Sequence, residues 1–198
     1  PRLRPDHGAS PTTLQDDRAT VSLGFQFAGQ LRSLHWASRP RSAVAAHQIE
    51  IAVEATGLNF RDVMYALGML SDEAVENGFA GPSLGLECAG TVVGIGAGVD
   101  GFAPGDRVVA FGPSCFGTRV LTSATAAALM PDGISFESAA TIPSTFFTAY
   151  YALHHLARLG EGEKVLIHGA AGGVGIAAIQ IAKWCVAEIF ATAGSPEK

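Results

Sequence analysis

The chain has 198 residues, 48% hydrophobic and 16% charged, a composition typical of a globular protein with a sizeable core. A net charge of −5 without a basic stripe argues against a nucleic-acid partner, whose phosphates need clustered Lys and Arg. No apolar run is long enough to cross a membrane, and the first residues are too polar for a signal peptide. The widely spaced Cys88, Cys115 and Cys185 predict neither a disulfide framework nor a metal pair, which indicates a reducing, cytoplasmic compartment.

The first quarter of the chain is predicted to hold short strands separated by glycine-containing turns. Residues 1–20 are polar and lack periodicity, which predicts a linker or arm. Val21–Trp36 predicts a hairpin, with Gly24 and Gly29 at turn or bulge positions. Ile49–Ala55 alternates apolar and polar residues and therefore predicts a half-buried strand.

The middle of the chain combines one short predicted helix with a dense set of glycines. Asn59–Leu67 predicts one to two helical turns, and Ser71–Pro82 predicts a polar loop. Leu84–Val99 holds five glycines among β-branched residues, which predicts bulges, tight twist and close backbone approach rather than a flat strand. Two further strands are predicted over Arg107–Phe111 and Gly117–Ser123.

The order of predicted elements indicates two segregated domains. Ser135 is a plausible N-cap for a short helix over Phe136–Ala140, and a longer helix is predicted over Phe147–Leu159. Strands come first, then helices, and then an α/β unit. We therefore predict a small barrel-like β domain over residues 21–144 and the start of a doubly wound domain over 145–198.

The stretch KVLIHGAAGGVG has the pattern of a dinucleotide-binding turn. Lys164–His168 predicts a strand and Ile176–Trp184 predicts a helix, so the glycine-rich turn joins them as in the first half of a βαβ unit. A pyrophosphate can bind backbone N–H groups at the start of such a helix, provided that no side chain holds it away. Ala170 stands where G-x-G-x-x-G has its first glycine, so a merely tight turn is the alternative. The predicted phosphate-binding residues are Ala170, Gly172, Gly173, Val174 and Gly175.

Several stretches occur together, and in this order, in one known superfamily. They are GLNFRDVMYALGM (Gly57–Met69), LGLECAGTVVGIGAGVDGFAPGDRVVAF (Leu84–Phe111), TFFTAYYAL (Thr145–Leu153), HGAAGGVG (His168–Gly175) and ATAGSPEK (Ala191–Lys198). Together they resemble the medium-chain dehydrogenase/reductase superfamily, and within it the enoyl reductase domains of modular polyketide synthases and animal-type fatty acid synthases.

The resemblance implies a fold and an activity. The fold would be a GroES-like β-barrel catalytic body followed by a Rossmann doubly wound parallel sheet. The activity would be reduction by NADPH of a carbon–carbon double bond conjugated to a thioester. The chain ends just past the second strand of the Rossmann sheet, so less than half of a cofactor domain is expected. We therefore expect weak or no activity from this piece alone.

The resemblance also bears on metal binding. Zinc-dependent relatives carry a cysteine where this chain has Asn59 and a histidine where it has Leu86, and neither replacement is a plausible zinc ligand. The adjacent His154 and His155 fall on different sides of a helix and cannot chelate as an i, i+4 pair would. We therefore predict no metal site.

The end of the second Rossmann strand favours NADPH over NADH. NAD-binding folds place Asp or Glu there to hold the ribose 2′-hydroxyl, whereas this chain has Ala193 and Gly194, the latter nineteen residues after Gly175. The Ser195 hydroxyl and the Lys198 charge would both suit a 2′-phosphate. The alternative is that these residues only cap a following helix.

Two residues match positions that border the nicotinamide and its ribose in the non-zinc relatives. They are Asn59 and Thr148. Asn59 could instead be a local turn former, and the Thr148 hydroxyl could instead bond to its own helix backbone.

The proton donor is sought near the first helix. Some relatives have a tyrosine there, but the preferred register places Met64 at that position and Tyr65 one residue away, a rotation of about 100° on a helix. Tyr65 is the candidate catalytic donor, with a core or surface tyrosine as the alternative, and water or residues outside this chain could also deliver the proton. Arg61–Asp62 is interpreted as an ion pair or cap, and Glu87 as a buried, paired structural carboxylate.

Three functions follow from these observations. The first is an NADPH-dependent enoyl reductase domain of polyketide or fatty acid synthesis, whose enoyl substrate arrives on the phosphopantetheine arm of an acyl carrier protein beside neighbouring synthase domains. The second is a free-standing, zinc-independent quinone oxidoreductase-like enzyme, and the third a non-catalytic fragment. No nucleic acid or membrane partner is expected, and a homodimer is one option for the oligomeric state.

Overall fold

The computed structural model describes residues 18–76, 78 and 80–195. The strands are β1 Ala19–Phe25, β2 Leu34–Pro40, β3 Gln48–Thr56, β4 Glu87–Ile95, β5 Arg107–Phe111, β6 Arg119–Ser123, β7 Ala127–Leu129, β8 Lys164–Ile167 and β9 Glu188–Ala191. The α-helices are α1 Phe60–Ala66, α2 Asp72–Glu76, α3 Phe136–Ala139, α4 Pro143–Tyr150 and α5 Gly173–Trp184. A π-helical segment, Tyr151–Leu156, continues α4.

A five-stranded antiparallel sheet forms the body of the molecule, in the order β6-β3-β4-β5-β7. Its core consists of branched apolar side chains that are almost fully buried, among them Ile49, Ile51, Val92 and Val108. The β1–β2 hairpin is joined to this sheet by the Thr118 N–H, which donates to the Val21 carbonyl at 2.8 Å. The predicted hairpin and strands are thus confirmed. The placement of Gly24 at a turn or bulge is wrong, because Gly24 pairs with His35 inside the regular register of β1 and β2.

The glycine-rich strand β4 is irregular, as predicted. Its register with β3 shifts between Glu50 and Ile51 and again between Val53 and Ala55. A Cβ at Gly90 would collide with a backbone carbonyl of β3, so the two strands approach more closely there than a side chain would allow.

A strand–turn–helix–strand unit follows the sheet. Strands β8 and β9 are parallel, with Lys164 opposite Glu188 and Ile167 opposite Ala191. Helix α5 packs through small residues, including Ala178 and Ala182, in a core shared with α4, β8 and β9. The predicted βαβ unit is confirmed, and the predicted boundary between residues 144 and 145 falls inside α4.

Two further local predictions are wrong, and one strand was not predicted. The predicted loop over Ser71–Pro82 contains α2, whose start is favoured because the Ser71 hydroxyl accepts from the Ala74 N–H at 3.2 Å and because its first turn is acidic. Helix α4 begins at Pro143 instead of Phe147, since proline is favourable in a first helical turn. Strand β7 was not predicted, because Ala-Ala-Leu carries no strand signal of its own.

The structure also shows the surroundings of Glu50 and Ser135. Glu50 lies at a polar position of the predicted half-buried strand, yet it is buried and pairs with Arg41. Ser135 caps α3 as predicted, accepting from the Ser138 N–H at 3.2 Å. The predicted arm lies almost wholly in residues 1–17, outside the described residues.

Candidate active site

The start of α5 presents three backbone N–H groups. The first N–H that reaches a carbonyl four residues earlier is that of Ile176, which donates to Gly172 at 2.8 Å. The N–H groups of Gly173, Val174 and Gly175 precede it and have no intrahelical acceptor. Together with the helix dipole, these three groups can hold an anion.

Two of the predicted phosphate-binding residues shape the turn with their own amides. The Ala170 N–H donates to the Thr192 carbonyl at 2.9 Å, which ties the turn to the end of β9. The Gly172 N–H donates to the Gly169 carbonyl, also at 2.9 Å. The N–H groups of these two residues are therefore used within the protein. Among the predicted phosphate-binding residues, only the three at the helix start have amides that can donate hydrogen bonds to an anion.

The turn needs glycine because its backbone segments are in close contact. A Cβ at Gly175 would collide with the Gly169 carbonyl oxygen and lie 2.6 Å from the Ala170 Cα. A Cβ at Gly173 would lie 3.3 Å from the Thr145 side chain, so the turn also contacts α4. The start of α5 thus lies beside the helix that carries Thr148.

Thr148 is exposed on α4, and its hydroxyl donates to the Ser144 carbonyl one turn earlier at 2.7 Å. This is the local helix bond that we considered as the alternative interpretation. The hydroxyl oxygen keeps its acceptor capacity towards a ligand, while its proton is used. Its contact with a nicotinamide stays a prediction.

Asn59 lies at the N-terminus of α1 and is fixed by two carboxylates. Its backbone N–H donates to Asp62 Oδ2 at 3.2 Å, and its side-chain Nδ2 donates to Glu87 Oε1 at 2.6 Å. Asp62 also accepts from the Gly85 N–H at 2.9 Å and lies 3.6 Å from the Arg61 guanidinium. The predicted cap and ion pair of Arg61–Asp62 are confirmed.

Glu87 connects Asn59 to α4. Its Oε2 accepts from the Ser144 N–H at 2.7 Å, while Oε1 accepts from Asn59. Burial is the largest influence on this carboxyl and raises its pKa above the ordinary value, and the nearby Asp62 carboxylate raises the pKa further. The hydrogen bonds from Ser144 and Asn59 oppose that shift. The predicted pairing of this buried carboxylate is confirmed.

The Tyr65 ring contacts β1 and Arg61 rather than Asn59 or Glu87. Its ring lies edge-on to Phe25 of β1, with 4.8 Å between the centroids, and the Arg61 guanidinium lies 4.9 Å from its centroid. It also lines a cavity of about 520 Å³ together with residues of the hairpin, including Arg39. These contacts do not involve Asn59, Glu87 or α4, and the role of Tyr65 as proton donor stays a prediction.

The ends of the two parallel strands carry a polar pair that sequence reasoning missed. His168 Nδ1 lies 3.0 Å from Thr192 Oγ1, and each residue directly follows its strand. In parallel sheets, dinucleotides bind outside such strand ends, which is the signal that could have identified the pair. Ser195 is half-buried after β9, and Lys198 lies outside the described residues.

No three His, Cys, Asp or Glu side chains come together within residues 18–76, 78 and 80–195 to hold a metal ion. Cys88 and Cys115 are buried, and the interaction with the neighbouring Cys88 thiol, followed by burial, raises the pKa of the Cys115 thiol. In that same part of the chain, no helix is long and apolar enough to traverse a bilayer.

Comparison with known proteins identifies the β domain. Residues 45–155 match the alcohol dehydrogenase GroES-like domain. The chain is 42% identical over 200 residues to the highly reducing polyketide synthase apmlA of Arthrinium phaeospermum, covering 98% of this chain and 8% of that protein. It is 48% identical over 172 residues to the spectinabilin polyketide synthase system protein NorB of Streptomyces orinoci, covering 86% of this chain and 8% of the relative.

Solved structures give the same result. CurK enoyl reductase superimposes with a TM-score of 0.84 at 43% identity, covering 90% of this chain and 55% of that chain. Escherichia coli quinone oxidoreductase complexed with NADPH gives 0.73 at 32% identity, covering 89% and 53%. The predicted GroES-like and α/β architecture, and the resemblance to medium-chain enoyl reductases of polyketide synthases, are therefore confirmed. The chain belongs to the alcohol dehydrogenase GroES-like family, on the oxidoreductase branch that includes these enoyl reductases.

Proposed function

We propose that this chain forms part of an NADPH-dependent enoyl reductase that acts within a polyketide synthase. Its substrate would be an α,β-unsaturated acyl thioester carried by an acyl carrier protein. One observation carries the proposal: the amides of Gly173, Val174 and Gly175, which lack an intrahelical acceptor, are connected through α4 and Glu87 to Asn59. The polyketide synthases and enoyl reductases among its relatives support the choice of reaction.

The residues of this chain would bind and orient the cofactor. The three amides at the start of α5 would hold the pyrophosphate, because they lack intrahelical acceptors and lie at the positive end of the helix dipole. Asn59 and Thr148 would border the nicotinamide, each held by a hydrogen bond to a neighbouring element or turn. When bound, NADPH would supply the hydride for the β-carbon of the substrate.

The choice of NADPH rests on charge at the end of β9. No carboxylate occurs among the residues from Ala191 to Ser195, so nothing there would repel a 2′-phosphate. Ser195 and Lys198 would provide a hydroxyl donor and a positive charge. His168 and Thr192 add hydrogen-bonding capacity beside the same strand ends.

The enolate formed by hydride addition needs a proton at its α-carbon. Tyr65 is the candidate named by sequence, but its ring contacts lie with the β1–β2 hairpin and Arg61. We therefore favour water as the donor. The test is Tyr65→Phe in the reductase that carries this chain: a loss of turnover below about threefold supports water, whereas a loss of about a hundredfold identifies the phenol as general acid.

The proposed reaction can be tested in a chimeric enzyme that contains this chain within a complete reductase. The chain spans 55% of CurK enoyl reductase, so it can replace the matching segment of that enzyme. We expect oxidation of NADPH that depends on an enoyl thioester, and a preference over NADH of at least about tenfold, equivalent to ~1.4 kcal/mol. The corresponding CurK enzyme without the exchange is the control.

A quinone oxidoreductase-like activity is the second candidate. It is favoured by the similarity to the Escherichia coli enzyme, which binds NADPH in a related fold. Turnover of a free quinone together with no turnover of the enoyl thioester would establish this candidate and contradict the first.

A further inference from the structure

We propose that Glu87 is a positioning residue that sets the orientation of the Asn59 side chain and holds α1 and α4 at a fixed separation for cofactor binding. The inference rests on the proposed function, because it assigns a role at the same site. It goes further by naming the residue on which the arrangement of the two nicotinamide contacts, Asn59 and Thr148, depends.

The geometry of the carboxylate is the first support. Oε1 accepts from Asn59 Nδ2 at 2.6 Å and Oε2 accepts from the Ser144 N–H at 2.7 Å. One donor belongs to the N-terminus of α1 and the other to the first turn of α4, while Glu87 itself lies on β4. Only 3% of Glu87 is exposed, so water cannot readily replace either bond. The carboxylate therefore links three separate elements.

The backbone around Glu87 is fitted closely to it. A Cβ at Gly57 would collide with Glu87 Oε1 and would lie 2.7 Å from the Ala140 carbonyl oxygen. The Glu87 carbonyl accepts from the Thr56 hydroxyl at 2.9 Å and from the Gly57 N–H at 3.3 Å. The Glu87 side chain therefore lies directly against the Gly57 backbone, and two hydrogen bonds hold its main-chain carbonyl.

The chemistry of the pair fixes the orientation of the Asn59 amide. A carboxylate only accepts hydrogen bonds, so the nitrogen of the Asn59 side chain, and not its oxygen, must face Glu87. Glutamine in place of Glu87 has the same shape but offers one acceptor and one NH₂ group to two donors. Either the Ser144 bond or the Asn59 bond would then be lost, or the Asn59 amide would have to turn over.

The linked elements extend to the phosphate-binding turn. Helix α4 carries Thr145, whose side chain would lie 3.3 Å from a Cβ at Gly173. The same helix carries Thr148, bonded to the Ser144 carbonyl. A change in the bond between Glu87 and Ser144 would therefore reach both the proposed nicotinamide contacts and the turn that holds the pyrophosphate.

The test compares Glu87→Gln with Glu50→Gln in the 198-residue chain. Glu50 is an equally buried carboxylate on the neighbouring strand, paired with Arg41, and serves as the matched control. We expect E87Q to shift the NMR signals of the Asn59 side-chain NH₂, to speed exchange of the Ser144 amide, and to weaken NADPH binding by about tenfold. E50Q should leave the Asn59 signals and the NADPH affinity unchanged.

A double-mutant cycle with Asn59→Ala separates positioning from general destabilisation. If Glu87 acts through Asn59, the two substitutions should not add. The double variant should then bind NADPH with about the same affinity as whichever single variant, Glu87→Gln or Asn59→Ala, binds it less tightly. Unchanged Asn59 signals in E87Q, or effects on NADPH affinity that simply add, would overturn the proposal. If E87Q does not fold, Asn59→Ala alone decides: faster exchange of the Ser144 amide supports the link, and unchanged exchange overturns it.

The two proposals fail in different ways. If the unaltered chain shows no NADPH binding even at millimolar concentration, the proposed function loses its support, while the NMR signals still test the positioning role. If the unaltered chain binds NADPH and E87Q binds it equally well, the positioning role fails and the proposed function stands.

Discussion

The antiparallel sheet and the β8–α5–β9 unit bury different kinds of side chain. Ile49, Ile51 and Val108 of the sheet are fully buried, whereas five of the six buried residues in the core of the second unit are alanines, three of them on α5. Several large apolar side chains of the second unit, namely Leu166, Ile176 and Trp184, are more than half exposed. Small residues allow close backbone packing but bury little apolar area, so we expect the sheet to contribute most of the stability, while the second unit contributes the helix-start amides without intrahelical acceptors.

The largest expected effect tests this division of stability. Ile51→Ala removes a fully buried side chain from the sheet and should lower the free energy of unfolding by about 3 kcal/mol. Trp184→Ala, at a residue 62% exposed, should cost less than about 1 kcal/mol. Urea unfolding followed by circular dichroism measures both. Equal losses would contradict the comparison.

A second prediction separates binding from stability in the α/β unit. Gly175→Ala would place a Cβ against the Gly169 carbonyl and Ala170, so the helix start must move and its amides lose their arrangement. We expect NADPH affinity to fall by more than about tenfold. Gly24→Ala is the control, because a Cβ there meets no atom within 4 Å. Equal affinities of the two variants for NADPH would exclude the turn as the binding site.

The pH dependence of stability provides a third prediction, centred on Glu87. Burial raises the pKa of this carboxyl above 4.5, so the folded chain binds its proton more tightly than the unfolded chain. The contribution of Glu87 to the free energy of unfolding is therefore greatest below about pH 4.5. It falls as the pH rises to the raised pKa and is constant above that pKa. The Asp62 carboxylate, which faces the same group, increases this dependence.

The measurement is the free energy of unfolding from about pH 4 to pH 7, for the unaltered chain and for Glu87→Gln. E87Q should lack the downward slope that we assign to this carboxyl. Parallel curves for the two proteins would show that Glu87 does not titrate in this range.

The smallest expected effect concerns a surface ion pair. Lys164 Nζ lies 3.6 Å from Glu188 Oε2 at the beginning of β8 and β9, and both side chains are mostly exposed. Solvent and salt screen such pairs, so Glu188→Gln should change stability by less than about 0.5 kcal/mol. A loss above 1 kcal/mol, measured by the same urea unfolding, would mean that β8–β9 pairing depends on charge more than on packing.

Most of the fold could be predicted because its signals are local. In the strands of the sheet, apolar and often β-branched residues alternate with more polar ones. The βαβ unit has a strand, a glycine turn and a helix in direct succession. The N-cap at Ser135 was likewise evident within four residues. By contrast, β7 has only Ala-Ala-Leu, and its strand conformation comes from pairing with β5.

The site was predictable only in part, because its links are non-local. The phosphate-binding turn is one continuous motif, so its position was accessible from sequence, although the internal use of the Ala170 and Gly172 amides was not. The bonds of Glu87 join residues 28 and 57 positions apart. No spacing rule connects residues so distant in sequence. His168 and Thr192 differ from these, because the predicted parallel pairing of the two strands already implied that the residues following them would meet.

The central claim is that the amides at the start of α5 hold the pyrophosphate of NADPH. The most direct measurement is a titration of the ¹⁵N-labelled chain with NADPH, followed by backbone amide NMR. We predict saturable shifts of the Gly173, Val174 and Gly175 signals, with the Gly24 signal unchanged. Shifts confined to other parts of the chain, or no shift of these three amides at saturation, would contradict the account.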